Sequence, residues 1–312
     1  MTAIKIGFIG LGLMGRGMVA NFLKAGFDTT VHDLYRDAAE PFVEKGATWA
    51  ESPRALAELC NVVFTSLPTP RDVEAVGFGP EGLIEGLCEG SVWLDLSTNS
   101  LETVRSAHAR LAARNVQFMD APVSGGPRGA NSGTLAIWIG GDKPTYDRLG
   151  PVLAAIADQP NYIGEIGAGT IAKLVHNMAS TAINAVMAET LTMGVKAGLD
   201  LLPLWKAIRA GAAGRKRSFD VVGPRFLQDN VEVPNFQLRL ALKDISLALD
   251  LGREQDVPMR ICTLVQQDMI EAVNRGWGER DSQSFLVMQQ ERAAVAPFRL
   301  SAEEVEAVML EK

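Results

Sequence analysis

Three glycines near the start of the chain have the spacing that a dinucleotide-binding loop needs. They follow a short apolar strand and precede an apolar helical stretch. Gly10 allows a tight turn, Gly12 lets a pyrophosphate approach the backbone, and Gly15 lets the helix pack closely on the strand. The start of the helix offers free N–H groups to the phosphates, although glycines also mark ordinary turns. The predicted cofactor contacts in this loop are Gly10, Gly12, Leu13, Met14 and Gly15.

An acid and an arginine bear on which nicotinamide cofactor this loop would serve. Asp33 ends the second predicted strand, where it can accept hydrogen bonds from a ribose diol. Its carboxylate would repel a 2′-phosphate, which favours NAD over NADP. Arg36 supports the alternative, because an arginine could bind that phosphate, but it also fits a solvated residue opening the next helix. NAD is therefore the predicted cofactor, with NADP as the alternative.

Two loops that follow later strands supply further candidate cofactor contacts. In a doubly wound sheet, ligands bind beyond the carboxyl ends of the strands. Leu67 and Pro68 would press apolar surface against the cofactor near the nicotinamide ribose. Thr98 offers a hydroxyl that could hold the nicotinamide half. Ordinary turn chemistry would also explain these residues, so both interpretations stay open.

A serine followed by two glycines forms a candidate anion site. Ser124, Gly125 and Gly126 would expose consecutive backbone N–H groups, with the serine hydroxyl as an added donor. Such a nest suits a carboxylate. A simple glycine-rich loop is the alternative.

Lys173 has the residue type and the setting of a proton-transfer group. It lies on an otherwise apolar helix with Asn177 one turn further, so the two share a face. A lysine there is costly unless it faces a cleft or has partners. Partial burial would lower its pKa toward the working pH, as a general acid or base requires. Asn177 would hold a substrate hydroxyl or carboxylate, and His176 is interpreted as a packed supporting group.

Four segments of the chain together resemble the β-hydroxyacid dehydrogenase family, which includes 3-hydroxyisobutyrate, tartronate semialdehyde and L-threonate dehydrogenases. The matching segments, in family order, are residues 7–15, 120–126, 169–177 and 242–245. The resemblance implies that Lys173 is the catalytic general acid/base and that Asn177 and the serine–glycine nest contact the substrate. It also implies that Thr98 and Lys243 contact the cofactor and that Asp244 gives the site polar support.

The chain departs from the family pattern in the loop at residues 213–219. Several relatives carry an asparagine or serine and a tryptophan there, whereas this loop is cationic and contains Arg215 and Arg217. Arginine binds carboxylate, sulfonate or phosphate through a planar fork, so the loop suggests a substrate with a second anionic group. Arg128 could serve the same end. A solvated loop is the alternative.

The elements that must position these residues change character part-way along the chain. Up to about residue 165, apolar strands alternate with helices, which predicts a Rossmann-type, mostly parallel, doubly wound sheet. Helical periodicity then takes over and predicts an all-α domain. The expected domains are an NAD(P)-binding domain at 1–165, a helical substrate and oligomerisation domain at 166–296, and an amphipathic tail at 297–312. Surplus apolar residues in the long helix at 169–199 predict a homodimer or homotetramer.

Composition restricts the class of protein. The chain has 312 residues and a net charge of −7, which argues against nucleic acid as the main partner. Polar residues in the long helix argue against a membrane span, and no signal peptide is predicted. Cys60, Cys88 and Cys262 have neither metal-ligand spacing nor a disulfide framework, and each is interpreted as structural, in an apolar setting. The sequence predicts a cytoplasmic protein without a metal.

These features together predict an NAD-dependent oxidoreductase that interconverts a small, anionic 3-hydroxy acid and its semialdehyde or keto form. In the oxidation, the neutral amine of Lys173 would take the hydroxyl proton while a hydride passes to the nicotinamide. Imine reduction and oxidative decarboxylation of the 6-phosphogluconate type are the enzymatic alternatives. A non-catalytic dinucleotide-binding sensor is the alternative from a different class.

Overall fold

The computed structural model describes residues 4–215, 218, 220–254, 256–294 and 296–310, apart from some side chains in the helices beyond residue 177. The chain divides into two compact units, Met1–Ala179 and Ser180–Lys312. The division falls inside a long helix. The boundary after residue 165, which is drawn where the sequence pattern changes, stays a prediction.

The first unit is built on a nine-stranded sheet. Its strands are β1 (Lys5–Ile9), β2 (Asp28–His32), β3 (Thr48–Trp49), β4 (Val62–Thr65), β5 (Val92–Asp95), β6 (Gln117–Asp120), β7 (Val123–Ser124), β8 (Leu135–Gly140) and β9 (Ala157–Gly164). Their order is β3-β2-β1-β4-β5-β6-β8-β7, with β9 paired to β8. The first six strands pair in parallel, whereas β8 runs antiparallel to β6 and β7. The predicted mostly parallel sheet is confirmed.

Helices cover both faces of this sheet. They are α1 (Gly15–Lys24), α2 (Glu40–Val43), α3 (Pro53–Leu59), α4 (Pro70–Phe78), α5 (Leu83–Gly86), α6 (Leu101–Ala112), α7 (Gly126–Ser132), α8 (Lys143–Arg148), α9 (Gly150–Leu153) and the start of α10 (Ala168–Lys196). Successive residues of the central strands enter opposite cores, because side chains alternate along a strand. Phe64 packs with one core, and its neighbour Val63 packs with the other. The two cores make the sheet doubly wound, as predicted.

Several helices of this unit begin with local capping chemistry. The Ser52 hydroxyl accepts a hydrogen bond from Ala55 N at 3.1 Å, just ahead of the proline that opens α3. Thr69 and Asp72 form a reciprocal capping box at the start of α4. Such caps satisfy N–H groups that a helix cannot satisfy internally.

The described part of the second unit contains helices and one isolated bridge, with no strand. Its helices are the remainder of α10, then α11 (Leu201–Ala210), α12 (Leu238–Glu254), α13 (Arg260–Ala272), α14 (Val287–Arg292) and α15 (Ala302–Leu310). Leu238, Met269 and Met288 lie in one core, and Leu249 and Met259 lie in another. The predicted all-helical character of this part of the chain is confirmed.

The cysteines differ in their surroundings. Cys60 and Cys262 are buried, whereas Cys88 is exposed, so the apolar setting expected for Cys88 is wrong. Burial raises the pKa of the Cys60 thiol to about 11.

None of the described helices has the length and the apolar character that a bilayer crossing requires.

Candidate active site

The glycine-rich loop joins β1 to α1, and each of its glycines meets a different constraint. Gly10 has a φ of +99°, and a side chain there would collide with the Ser66 carbonyl oxygen. A Cβ on Gly15 would collide with the Gly10 carbonyl oxygen, so the helix starts in direct contact with the loop. A Cβ on Gly12 would meet no other heavy atom within 4 Å. The loop is therefore close-packed at both ends and open above Gly12.

Asp33 follows β2 and braces this loop. Its Oδ2 accepts a hydrogen bond from Leu11 N at 2.7 Å, and its Oδ1 accepts one from Tyr35 N at 3.0 Å. A carboxylate has about four lone-pair sites, so these two bonds leave acceptor capacity for a ribose hydroxyl. Sequence reasoning predicted only the ribose contact. It missed the loop contact because the two residues are far apart in the chain.

Arg36, the residue that supports NADP, already faces a carboxylate. Its Nη1 lies 3.0 Å from Glu51 Oε1, and its guanidinium carbon lies 5.7 Å from the centroid of the Trp49 ring. Both charged side chains are exposed, so the ion pair is weak. The arginine nevertheless has a competing partner for its charge.

A cavity of about 310 Å³ opens where the chain leaves β4, β5 and β6. It is lined by Met14, Ser66, Leu67, Pro68, Leu96, Ser97, Thr98, Val123, Ser124, Gly125, Gly126 and Lys173. Ser66, Leu96, Ser97 and Val123 are the lining residues that sequence reasoning did not select. The structure thus brings predicted cofactor contacts, the serine–glycine nest and the candidate proton-transfer lysine to one cavity within the first unit.

A buried carboxylate ties together two of the loops that line the cavity. Asp95 Oδ1 accepts hydrogen bonds from Thr65 Oγ1 at 2.9 Å and from Ser97 N at 3.1 Å. Its Oδ2 accepts one from Asn99 Nδ2 at 2.9 Å. Ser97 Oγ in turn accepts from Leu67 N at 2.9 Å. Burial raises the pKa of Asp95, although the hydrogen bonds from Ser97, Asn99 and Thr65 oppose that rise.

The serine–glycine nest occupies the turn between β7 and α7. Ser124 is half-buried, and the two glycines after it are exposed. Gly125 has a φ of 128° and Gly126 a φ of 60°, values that L side chains rarely adopt. Successive backbone N–H groups in a turn can form a concavity that binds an anion. Arg128 lies two residues further on α7 and is exposed.

The helix that carries Lys173 is held at its start by a second buried carboxylate. Asp120, the last residue of β6, accepts hydrogen bonds from Gly167 N at 2.7 Å and from Thr170 N at 2.6 Å. A Cβ on Gly169 would collide with the Trp138 carbonyl oxygen, so the first turn of α10 lies directly against β8. A carboxylate at a helix N-terminus satisfies unpaired N–H groups and interacts favourably with the helix dipole. The contacts fix the turn that precedes Lys173.

Lys173 lies half-buried in the cavity wall. Its Nζ is 5.8 Å from the centroid of the Trp138 ring, within the reach of a cation–π interaction. Burial lowers the pKa of Lys173 from its ordinary value. A lysine with a lowered pKa has a larger neutral fraction near neutral pH, so its amine can both accept and return a proton.

His176 links Lys173 to the serine–glycine nest. Its Nε2 lies 3.5 Å from Ser124 Oγ, and either atom can be the donor. Its ring centroid is 5.0 Å from that of Trp138, with an angle of 47° between the planes. Burial, and then the charge of Lys173, lowers the pKa of His176. The histidine thus belongs to one cluster with Ser124, Trp138 and Lys173.

Other predicted contacts do not line the cavity or are not described. Asn177 lies on α10 one turn beyond the lysine and is exposed. Arg215 ends a short 3₁₀ turn in the second unit and is exposed. Arg217 lies outside the described residues. Lys243 and Asp244 lie on α12, but their side chains are outside the described part of the structure.

Sequence reasoning missed Asp95 and Asp120 as organisers of the site. Each ends a strand and directly follows buried apolar residues, and an acid in such a place is a signal of buried hydrogen bonds. Their hydrogen-bond partners could not be predicted from the sequence, because those partners include residues from distant segments of the chain.

Comparison with known proteins identifies the family. Residues 5–167 match a family described as the NAD binding domain of 6-phosphogluconate dehydrogenase, and residues 167–288 match one described as NAD-binding of NADP-dependent 3-hydroxyisobutyrate dehydrogenase. A 2-(hydroxymethyl)glutarate dehydrogenase from Eubacterium barkeri is 32% identical over 294 residues, which are 94% of this chain and 97% of that protein. The chain belongs to the β-hydroxyacid dehydrogenase family.

Further relatives of this β-hydroxyacid dehydrogenase agree with that assignment. A 3-hydroxyisobutyrate dehydrogenase from Pseudomonas aeruginosa is 37% identical over 249 residues, 78% of this chain and 84% of that protein. A solved structure of a reductive aminase from Aspergillus terreus in complex with NADPH and ethyl-5-oxohexanoate has a TM-score of 0.79 over 92% of this chain and 99% of that one. At 22% identity, this likeness shows only a shared fold. The predicted family and enzyme class are confirmed: the protein is an NAD(P)-dependent oxidoreductase of the hydroxyacid dehydrogenase type. The sensor alternative is therefore set aside.

Proposed function

We propose that the enzyme interconverts a small 3-hydroxy acid and its semialdehyde or keto form with NAD, and that Lys173 is its general acid/base. One observation carries the proposal: a half-buried lysine with a lowered pKa shares a cavity with Thr98 and with the serine–glycine nest. This combines a proton-transfer group, a strand-end hydroxyl and an anion cradle within reach of one small molecule. A hydroxy acid has the two functional groups that such a cavity serves.

The glycine-rich loop fits a dinucleotide. The space above Gly12 is open, and the loop is close-packed on both sides of it because Gly10 and Gly15 lie against neighbouring backbone. Gly10 through Gly15 would hold the pyrophosphate, Asp33 would accept from the adenosine ribose, and Leu67, Pro68 and Thr98 would flank the nicotinamide. Lys243 is proposed as a further cofactor contact on the family resemblance alone.

The chemistry divides between cofactor and chain. The nicotinamide, when bound, supplies hydride acceptance and donation. In the oxidation, neutral Lys173 Nζ accepts the proton of the substrate hydroxyl, and in the reduction the ammonium returns it. Ser124 and the N–H groups of the two following glycines hold the carboxylate, which sets the position of the carbinol carbon. Asn177 is proposed to contact the same substrate.

The preference for NAD rests on two carboxylates. Asp33 would oppose a 2′-phosphate by charge, and Glu51 already faces Arg36 at 3.0 Å. Arg215 and Arg217 are proposed to meet a second anionic group of the substrate, which would favour a dianionic acid over plain 3-hydroxyisobutyrate.

We also propose at least a dimer. Met187 on α10 is 46% exposed, and Trp205 and Ile208 on α11 are 48% and 46% exposed. Large apolar side chains at such exposure are typical of a surface that another chain covers. Sedimentation at micromolar concentration is expected to show no predominant monomer.

The activity is tested by a spectrophotometric screen for NADH formation with a panel of 3-hydroxy acids of one and two negative charges. Turnover of at least one acid, lost in Lys173→Ala, supports the proposal. Reduction of imines with no turnover of any hydroxy acid would instead support the imine reductase alternative, and release of CO₂ would support oxidative decarboxylation.

A further inference from the structure

Three described neighbours of His176 have different roles. Its Nε2 lies 3.5 Å from Ser124 Oγ, its ring packs on Trp138, and Lys173 lies one turn before it on the same helix. All belong to the first unit and to the cluster around the cavity. The 3.5 Å separation is at the long end for a hydrogen bond, but catalytic hydrogen bonds are often long in unliganded structures and tighten when substrate binds.

We propose that His176 is a positioning residue that donates a hydrogen bond from Nε2 to Ser124 Oγ and so directs the serine hydroxyl hydrogen at the carboxylate of the substrate. The inference rests on the proposed function only in taking the serine–glycine nest as the carboxylate site. It makes the histidine a determinant of selectivity for acids over their neutral derivatives.

The direction of this hydrogen bond follows from the hydrogen-bonding capacity of a hydroxyl. Serine has one O–H donor and two acceptor lone pairs. If His176 Nε2 accepted the serine hydrogen, the hydroxyl would present only lone pairs to a carboxylate, and the two would repel each other. If Nε2 donates instead, the serine hydrogen stays available for the anion. Binding of an anion at this hydroxyl therefore requires the Nε2–H form of the ring.

The imidazole ring of His176 packs on a residue that is itself held in place. The ring of Trp138 lies against it, and the Trp138 backbone is itself held, since its N–H donates to the Pro122 carbonyl oxygen at 3.1 Å. The Trp138 carbonyl lies against Gly169 at the start of the helix that carries the histidine. The imidazole thus packs on a residue that is anchored to both neighbouring segments.

The charge state of the ring agrees with a donor role that adds no charge. Burial and the neighbouring Lys173 lower the pKa of His176, which favours the neutral ring with one N–H. A permanent second cation beside Lys173 would disfavour the ammonium that the reduction requires. A neutral donor supports anion binding without that penalty.

The first test compares two substitutions at position 176. Gln places an amide donor near the position of Nε2, whereas Leu removes it. His176→Leu is expected to raise KM for the hydroxy acid about 3- to 10-fold, as the loss of one ordinary hydrogen bond would, with kcat nearly unchanged. His176→Gln is expected to restore most of the loss, and KM for the methyl ester of the same acid is expected to rise less in His176→Leu, because a neutral ester carbonyl accepts a weaker hydrogen bond than a carboxylate. A His176→Gln variant as weak as His176→Leu, or an equal rise in KM for the ester, would overturn the assignment.

A double-mutant cycle with Ser124→Ala shows whether the histidine acts through the serine. In the Ser124→Ala background, His176→Leu is expected to change KM by less than about 2-fold, because the hydroxyl that it orients is gone. A full effect in that background would mean that His176 acts elsewhere.

The tautomer can be measured without activity. In the uniformly ¹⁵N-labelled wild-type enzyme, long-range ¹H–¹⁵N correlation spectra report which imidazole nitrogen carries the hydrogen. The neutral Nε2–H tautomer is expected at pH 7, and the Nδ1–H tautomer would overturn the proposal. This measurement tests the proposed role of His176 separately from the proposed function, because the tautomer can be read even if no hydroxy acid is turned over. It also uses only the wild-type enzyme, so it does not depend on the folding of a variant.

Discussion

Asp120 Oδ2 accepts a hydrogen bond from Thr170 N at 2.6 Å, so the last residue of strand β6 holds the first turn of the helix that carries the candidate catalytic lysine. Asp120 Oδ1 accepts from Gly167 N as well, at 2.7 Å. Because Lys173 follows within one helical turn, the position of its amine depends on a carboxylate that does not line the cavity. The placement of the proton-transfer group is thus coupled to the sheet.

Replacement of Asp120 should affect both stability and turnover. Asp120→Ala leaves two buried N–H groups without their acceptor, so the free energy of unfolding is expected to fall by about 2–4 kcal/mol. The value of kcat should fall too, since α10 loses its anchor. Urea unfolding and steady-state kinetics measure the two effects. Asp142→Ala is the matched control, because Asp142 caps α8 through Thr145 N at 2.8 Å but is exposed and is not among the residues that line the cavity. Equal loss of kcat in both variants would contradict this prediction.

Replacement of Lys173 should separate catalysis from cofactor binding. Lys173→Ala is expected to lower turnover by about 10²- to 10⁴-fold, the usual contribution of a general acid/base. NAD binding, measured by fluorescence titration, should persist because the glycine-rich loop and Asp33 are untouched. Lys143→Ala is the control, since Lys143 pairs with Asp147 at 2.5 Å on the surface. Turnover of Lys173→Ala within a few-fold of wild type would assign proton transfer to another group.

The pH dependence of the oxidation should report the lysine. Burial lowers the pKa of Lys173, and the oxidation needs the neutral amine, so kcat/KM is expected to rise with pH through a midpoint below the ordinary lysine value of about 10.4. The reduction needs the ammonium and should decline over the same interval. The measurement is the pH profile of kcat/KM for the oxidation and for the reduction, with the same cofactor pair. A midpoint at or above the ordinary value, or a limb that survives in Lys173→Ala, would show that the lysine does not control the rate.

Cofactor selectivity should respond to charge at position 33. Asp33→Asn removes the charge but keeps an oxygen that can accept from Leu11 N, the contact that braces the glycine-rich loop. The ratio of kcat/KM for NADP to that for NAD is expected to rise roughly tenfold, equivalent to about 1.4 kcal/mol. Glu51→Gln is the companion variant, because it releases Arg36 from its carboxylate. If only Glu51→Gln changes the ratio, then Arg36 decides selectivity.

The cationic loop should distinguish substrates by their charge. If Arg217 meets a second anion, Arg217→Ala is expected to raise KM for a dianionic hydroxy acid by roughly 10- to 150-fold, the worth of one charge-assisted hydrogen bond. KM for a monoanionic acid should change little. Arg215→Ala tests the neighbouring residue in the same way. Equal effects on both substrates would mean that the loop is simply solvated.

The parts of the fold that were predicted from sequence carry strong local signals. The glycine loop has the G-x-G-x-x-G spacing directly after a strand, and the long helix α10, expected at 169–199 and found at Ala168–Lys196, is an extended, mostly apolar segment. Strand β9 was missed because it contains Pro160 and mostly polar residues, and it forms by pairing with β8 along six positions. Its stability comes from a partner strand, which local patterns do not reveal.

The candidate site was predictable to the extent that its residues follow strands or share a helix face. Lys173, Ser124 and Thr98 were selected on those grounds, and all three line the cavity. Asp95 and Asp120 act on residues about 30 and 50 positions away along the chain, and Trp138 meets His176 through tertiary packing. Such contacts depend on which strands become neighbours, and one sequence does not specify that order.

The series of hydrogen bonds that links Thr65, Asp95, Ser97 and Leu67 has a consequence for engineering the substrate specificity of this enzyme. These bonds join the loops that follow β4 and β5, and the two loops cannot be reshaped one at a time. An altered backbone in either loop would leave a buried donor or acceptor of the other without its partner. Mutational libraries that vary one loop alone should therefore return mostly unfolded or inactive chains. Libraries that vary both loops together, or that leave these four residues untouched and randomise the side chains around them, should search this pocket more productively.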